Sequence, residues 1–362
     1  MRCDITLKPH MPAGQVESMD VALVLTDLPR TAGAELFRAQ VETVTIPGCV
    51  PENVHITDDA GTVPFTQTDS TPYPYHFLHY AVQRYITGPA LIAYTVKPRP
   101  FYEGDRCGPY FDLKAEDGGA SSAGLSFLPE IAGLEGDISL HWDLSDCPEG
   151  ATGICTFGEG DLSYHGTLDK LQQSYFIFGM VSSITDGDFG FHWLTKPSFD
   201  VEAIAAYARD LFGRMSQFFR DDGKTYRIFM RKDPYPTSGG TALMRSYMFG
   251  WNETQPVSVK DKQNILAHEM VHNWPHLNDN PYGITSWYSE GTAEFFCVML
   301  PFRMGLVSKE EPSRRSSPAR TRITPTPPAT WRTSRRQRSA GRIAALSVCP
   351  TAVDSSSSPT RM

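Results

Sequence analysis

The chain has 362 residues, 40% of them hydrophobic, and a formal net charge of −8, which fits a soluble globular enzyme long enough for two domains. No run of eighteen apolar residues occurs and Met1–Ala22 lacks the apolar stretch of a signal peptide, so neither a helical membrane span nor secretion is expected, and a cytoplasmic location is. Seven cysteines at 3, 49, 107, 147, 155, 297 and 349 contain no C-x-x-C pair, which argues against a thiolate zinc site or a dense disulfide framework. Such a set suits a reducing compartment, with a Cys147–Cys155 bridge left open.

The first 170 residues read as mostly β. Val21–Leu25, Val41–Ile46, Leu91–Val96 and Ile138–Trp142 are short β-branched or alternating runs. Pro47-Gly48 and Asp58-Asp59 belong to the turn clusters that punctuate them. Several strands at this spacing predict a β-sandwich-like domain. Beyond Ser174 the pattern changes. Tyr175–Val181 and Phe189–Trp193 read as strands, and an amphipathic helix spans about Asp200 to Arg220. Ile204, Tyr207, Leu211, Met215 and Phe218 form its apolar side, a core stripe with no site role. Tyr226–Met230 and Thr241–Trp251 are further predicted strands.

The most informative segment follows. His268-Glu269-Met270-Val271-His272 is H-E-x-x-H, which on a helix sets two imidazoles one turn apart on one face. Ser258 is a plausible N-cap for that helix, with Asp261 three residues on. Ile265, Leu266, Met270 and Val271 give it an apolar side, and polar groups among them are costly to bury without partners. Glu269 lies beside the metal as a base. Seventeen residues separate His272 from Glu290, the expected third ligand. Two His and one Glu leave a fourth zinc position open, the arrangement of a catalytic site. Glu290 belongs to a second helical run that Ser286 would cap, in which Trp287, Glu290, Glu294 and Cys297 or Val298 recur at helical steps. Glu294 shares the face of Glu290 and is assigned to the free ring nitrogen of a metal-bound His.

HEMVHNW followed by WYSEG resembles the gluzincin metallopeptidases, whose third zinc ligand is the Glu of a W-x-x-E-G segment. The Asn-Trp after the second His looks most like the glycyl-aminopeptidase-type branch, a relative of the aminopeptidase N family. The spacing to Glu290 is one residue shorter than in aminopeptidase N relatives. The resemblance covers residues from about 170 to 306 well and the first 170 more loosely. It implies one Zn2+, a peptide or protein substrate, and a thermolysin-like catalytic part. It also implies a substrate-binding strand at Gly239, Gly240, Thr241 and Ala242. Ala242 stands where family members carry an acid for the substrate's amino group, which leaves exo- and endopeptidase readings open. Tyr282 lies where thermolysin-type enzymes carry a Tyr, and it is the expected oxyanion donor. After Tyr288 the sequence has no further Tyr.

From Pro312 the chain turns Ser, Arg and Pro rich without periodicity. Residues 307–362 hold eleven Lys or Arg against three Asp or Glu, the reverse of the balance before them. This reads as a disordered basic tail or a frame-shifted translation, with the family's C-terminal helical part missing. Without aromatic interleaving or a binding fold it predicts no nucleic-acid partner. The expected whole is α+β. A β-sandwich-like domain over 1–170 precedes a thermolysin-like zinc peptidase domain over 171–306 and the tail over 307–362. The expected function is zinc-dependent peptide-bond hydrolysis with a metal-activated water and Glu269 as general base, and an aminopeptidase is one form of it. A catalytically impaired, peptide-binding relative and another zinc hydrolase on the same scaffold are the alternatives.

Overall fold

The structure, a computed structural model, describes residues 1–44, 46–102, 104–223, 225–236, 239–255, 257–275, 277 and 283–307. The predicted tail from 308 onward and Tyr282 lie outside the described residues. The chain begins with β1 (Arg2–His10), β2 (Ser18–Thr26), β3 (Glu35–Thr43), β4 (Ile46–Pro47) and β5 (Glu52–Asp58). There follow β6 (Gly61–Thr62), β7 (Phe65–Ser70), β8 (Tyr75–Val82), β9 (Ala90–Val96), β10 (Lys114–Glu116) and β11 (Gly119–Ala123). Next come β12 (Glu135–Trp142), β13 (Thr152–Cys155), β14 (Gly158–Glu159), β15 (Leu162–Thr167), α1 (Asp169–Gln172) and β16 (Tyr175–Gly179).

Period-two alternation sorts these strands into layers. A seven-stranded sheet in the order β15-β12-β1-β2-β9-β5-β6 faces inward with Ile5, Leu23, Ile92 and Ile138. A four-stranded sheet, β4-β3-β8-β7, contributes Phe37 and Tyr80 to the same buried cluster, and their rings stack at 4.3 Å. The run Val41–Ile46 is not the single strand expected from its β-branched residues. Val44 takes φ +51°, and β4 folds back antiparallel on β3 with Thr43 opposite Ile46. A third sheet, β10-β11-β16-β13-β14, is antiparallel throughout, and β16 pairs with β11 and β13 from the first 170 residues.

The remaining elements are β17 (Ser182–Asp186), β18 (Phe189–Trp193), α2 (Val201–Phe219), β19 (Tyr226–Lys232), β20 (Gly240–Leu243), β21 (Ser246–Trp251), α3 (Val259–Val271) and α4 (Ser286–Arg303). The sheet order β17-β18-β19-β21-β20 has three parallel strands at its centre and an antiparallel strand at each edge. Parallel strands covered on both faces read as continuous apolar runs, and β18 and β21 are buried at every residue. The segment Thr241–Trp251 is a hairpin and not one strand, because Arg245 takes φ +54° and reverses the chain between β20 and β21. The α2 N-cap is Asp200, whose carboxylate accepts the Ala203 N–H at 2.9 Å. Its buried face includes Ala205, Ala208 and Phe212, so it is turned away from Phe218, which is 45% exposed. The described residues thus form an α+β, sheet-rich fold in which no helix is long and apolar enough to cross a membrane.

One buried ion pair joins the third and fourth sheets. The Arg231 guanidinium of β19 donates to Asp112 Oδ1 at 2.6 Å, to Asp112 O and Ser121 O at 2.9 Å, and from Nε to Ser121 Oγ at 3.1 Å. A charge removed from water is tolerated only when it is paired, and here Arg99 Nη1 also approaches Asp112 Oδ2 at 3.5 Å.

Candidate metal centre

Helix α3 starts where the sequence marks it. Ser258 Oγ accepts the Asp261 N–H at 3.3 Å and donates to the Asp261 carboxylate at 2.6 Å. Its apolar periodicity is weak because it is covered on several sides: Lys262 and every residue from Ile265 to Val271 are buried. Tyr247, Phe249 and Trp251 of the sheet, Phe212 and Met215 of α2, and Ala293 and Cys297 of α4 share that cluster. His272 caps the helix with helical φ/ψ, so its ring stays on the face of His268, with centroids 5.0 Å apart. The expected cap of α4 does not form. Thr285 occupies that position without a side-chain cap bond, and Ser286 is the first helical residue; Thr285 O accepts the Tyr288 and Ser289 N–H groups.

The structure brings His268, His272 and Glu290 together. His268 Nε2 lies 3.3 Å from His272 Nε2 and 3.4 Å from Glu290 Oε2, and His272 Nε2 lies 3.9 Å from Glu290 Oε1. Zinc bonds of 2.0–2.1 Å at tetrahedral angles set ligand atoms roughly 3.3–3.4 Å apart, so this triangle is close to the size the ion needs. The charges fit as well. Burial works to lower His268, yet Cys297, Glu290 and the nearby Glu269 carry it up to about 10. Burial and the neighbouring His268 hold His272 down to about 4. Burial works to raise Glu290, but His268 and His272 keep its carboxyl below the usual range. Two imidazoles and a carboxylate converging at this distance offer three donor atoms to one cation.

Glu269 points elsewhere on the helix. It is 2% exposed and its Oε1 has no hydrogen-bond partner among the described residues. Burial pushes its carboxyl up to about 7, with Glu290 adding to the rise and His268 and the Ala242 N–H opposing it. That backbone group belongs to edge strand β20. There Thr241 Oγ1 accepts the Tyr110 N–H, Tyr175 Oη donates to Thr241 O, both at 3.1 Å, and Gly239 O accepts the Gly250 N–H at 3.3 Å. Gly240 needs to be glycine because a Cβ there would run into the Tyr247 ring. The edge strand and the buried carboxyl are therefore joined through the Ala242 N–H.

A second group surrounds the other nitrogen of His268. Nδ1 faces Glu294 Oε1 at 3.5 Å, and the Cys297 thiol completes a triangle with ligand atoms within 4.8 Å of one another. Both triangles use one imidazole, so a ring coordinated at Nε2 presents Nδ1–H to Glu294 and Cys297. The sequence marked Cys297 only as a helical repeat of Glu290. Its position seven residues on, hence on the same face, was the available signal.

No protein-family model matches the chain, and no curated protein is similar to it in sequence. Solved structures are similar. An aminopeptidase N family protein from Idiomarina loihiensis superposes with a TM-score of 0.61 at 15% identity over 85% of this chain. This chain spans 55% of that protein's length. An M1 zinc metallopeptidase from Deinococcus radiodurans aligns with a TM-score of 0.46 at 15% identity over 84% of this chain and 70% of its own. The same enzyme as a mutant bound to a Tyr-Ser-Ala substrate gives 0.46 at 14% identity over 84% and 71%. By fold, then, the chain is similar to that aminopeptidase N family protein.

Proposed function

We propose that the chain is the zinc-binding part of a metallopeptidase, with His268, His272 and Glu290 as metal ligands and Glu269 as general base. The observation that carries this reading is the convergence of two imidazole nitrogens 3.3 Å apart on the Glu290 carboxylate, whose oxygens lie 3.4 and 3.9 Å from them, with one ligand atom from each residue within 4.8 Å of the others. When bound, zinc supplies Lewis acidity toward a carbonyl and lowers the pKa of water. The protein supplies the rest. Glu269 takes a proton at its carboxylate and passes it to the leaving amine, and burial keeps that carboxyl near neutrality, where such a base works best. The outer edge of β20 is the strand on which an extended peptide would lie. Glu294, joined by Cys297, orients His268 through Nδ1. Tyr282 is the proposed donor to the oxyanion.

The thermolysin-like reading of residues 171–306 rests on the order sheet, edge hairpin, metal helix, second helix. Within this proposal residues 1–170 form the β domain that walls the cleft, with β16 as the strand linking the two parts.

The test is cleavage of a peptide library by the zinc-loaded chain and by Glu269→Gln. Cleavage is expected in the former, with zinc retained and turnover lost in the latter. Peptide binding without cleavage would point to an impaired, binding relative. Turnover of esters or epoxides alone would point to another zinc hydrolase, and normal hydrolysis by Glu269→Gln would remove the general-base assignment.

A further inference from the structure

The residues just beyond the metal helix hold something other than metal. Asn273 Oδ1 accepts the backbone N–H of Arg245 at 3.1 Å, while its Nδ2 donates to Met270 O at 2.9 Å. One side chain therefore bonds the end of α3 and the tip of the β20–β21 hairpin together. Arg245 is a demanding partner, since its φ of +54° is a conformation that side chains other than glycine rarely adopt. Its side chain is secured by an ion pair with Asp221. The Gly223 position leaves room for it, because a Cβ there would run into the guanidinium. Asp221 also accepts the Trp274 indole N–H at 2.8 Å. The Trp274 ring stacks on Phe219 at 4.6 Å and on Phe212 at 6.1 Å, which anchors it to α2. On the other flank the Met244 N–H donates to Gln173 O at 3.0 Å, and Tyr110 and Tyr175 hold Thr241.

We propose that Asn273, together with Asp221, Arg245 and Trp274, forms a positioning cluster that sets edge strand β20 against α3 and so aligns a peptide lying on that edge with Glu269. The alignment clause rests on the peptidase reading above; the lock itself does not. The physical argument is that an edge strand exposes unpaired backbone groups and is the part of a sheet most free to shift. A substrate paired to a strand that wanders by about 1 Å loses its approach to the base, a displacement worth up to about a hundredfold in rate. Hydrogen bonds from the helix that carries Glu269 to the turn that carries the strand remove that freedom. None of the four residues is one of the proposed metal ligands, so they act through the strand.

Three readouts on the full chain test this: hydrogen exchange, zinc content, and hydrolysis of an internally quenched peptide. Asn273→Ala is expected to speed exchange in the Leu243–Ser246 turn and leave zinc content unchanged. It is also expected to lower kcat/KM about tenfold, mostly through kcat. Asn273→Asp keeps the acceptor for Arg245 and loses the donor to Met270, so exchange and kcat should return close to the parent values. Unchanged turn exchange in Asn273→Ala, loss of zinc from it, or an Asp variant no better than Ala would overturn the proposal. If the parent chain cleaves no peptide, the peptidase reading and the alignment clause fall, while the exchange comparison still decides the lock.

Discussion

Glu269 and His192 are both buried ionisable side chains, 2% and 1% exposed, and burial moves them in opposite directions because it disfavours whichever form is charged. Glu269 is pushed up to about 7, while burial and then Arg227 hold His192 down to about 3. His192 Nδ1 lies 2.8 Å from Ser183 Oγ, and Nε2 has no partner among the described residues. Between the ordinary value of 6.5 and about 3 the native state binds fewer protons here than the unfolded chain. Stability therefore rises with pH across that window and is lost on acidification, by up to about 1.4 kcal/mol per pH unit. Urea midpoints at pH 7 and pH 5 should drop less in His192→Gln than in the parent chain; equal drops would contradict this. At this scale the sequence was most legible where spacing alone fixed geometry. His268 and His272 share a face because they are four apart on a helix. The α4 cap was misassigned because Thr285 and Ser286 are equally good cap residues, and only the backbone path chooses between them.

Elements were harder to delimit than to detect. Val41–Ile46 and Thr241–Trp251 each look like one strand because a hairpin turn made by Val44 or Arg245 carries none of the usual glycine or asparagine signal. Of the apolar side read for α2, Ile204, Leu211 and Met215 are buried and Tyr207 packs on the core, while Phe218 is exposed and the small residues Ala205 and Ala208 face inward as well. The strand at Gly239–Ala242 was expected from the resemblance alone, and the reason for Gly240, the Tyr247 ring against it, lies across the hairpin and is invisible along the chain. Ala242 on that strand has no charge to hold an ammonium group. The expected outcome is cleavage of a free peptide and of its N-acetylated form at similar rates, followed by chromatography of the products. A strong preference for the free amine would contradict it and would call for an acid elsewhere in the cleft.

Across the whole molecule, the α+β character followed from the change of periodicity near Ser174, but the contact between sheets did not, because Arg231 and Asp112 are 119 residues apart in the chain. Removing Arg231 leaves the buried Asp112, among the described residues, only the longer 3.5 Å approach of Arg99. Arg231→Met should cost about 3–5 kcal/mol, and most of that should return in the double variant with Asp112→Leu. Urea unfolding of the three proteins checks this, and a loss below about 1 kcal/mol in the single variant would contradict it. The exposed stripe on α4 (Trp287 at 74%, Phe295 at 57%, Phe302 at 43%) runs along the same helix that supplies Glu290. The site and the cover of that helix are therefore coupled problems for the fold. The central claim is that His268, His272 and Glu290 hold one zinc ion, and it is tested most directly by metal analysis of the purified chain beside His272→Ala after dialysis against zinc-buffered solution. The expected result is about one zinc per parent chain, with most of it lost from the variant. A parent chain that binds no zinc, or a variant that binds as much, would contradict the account.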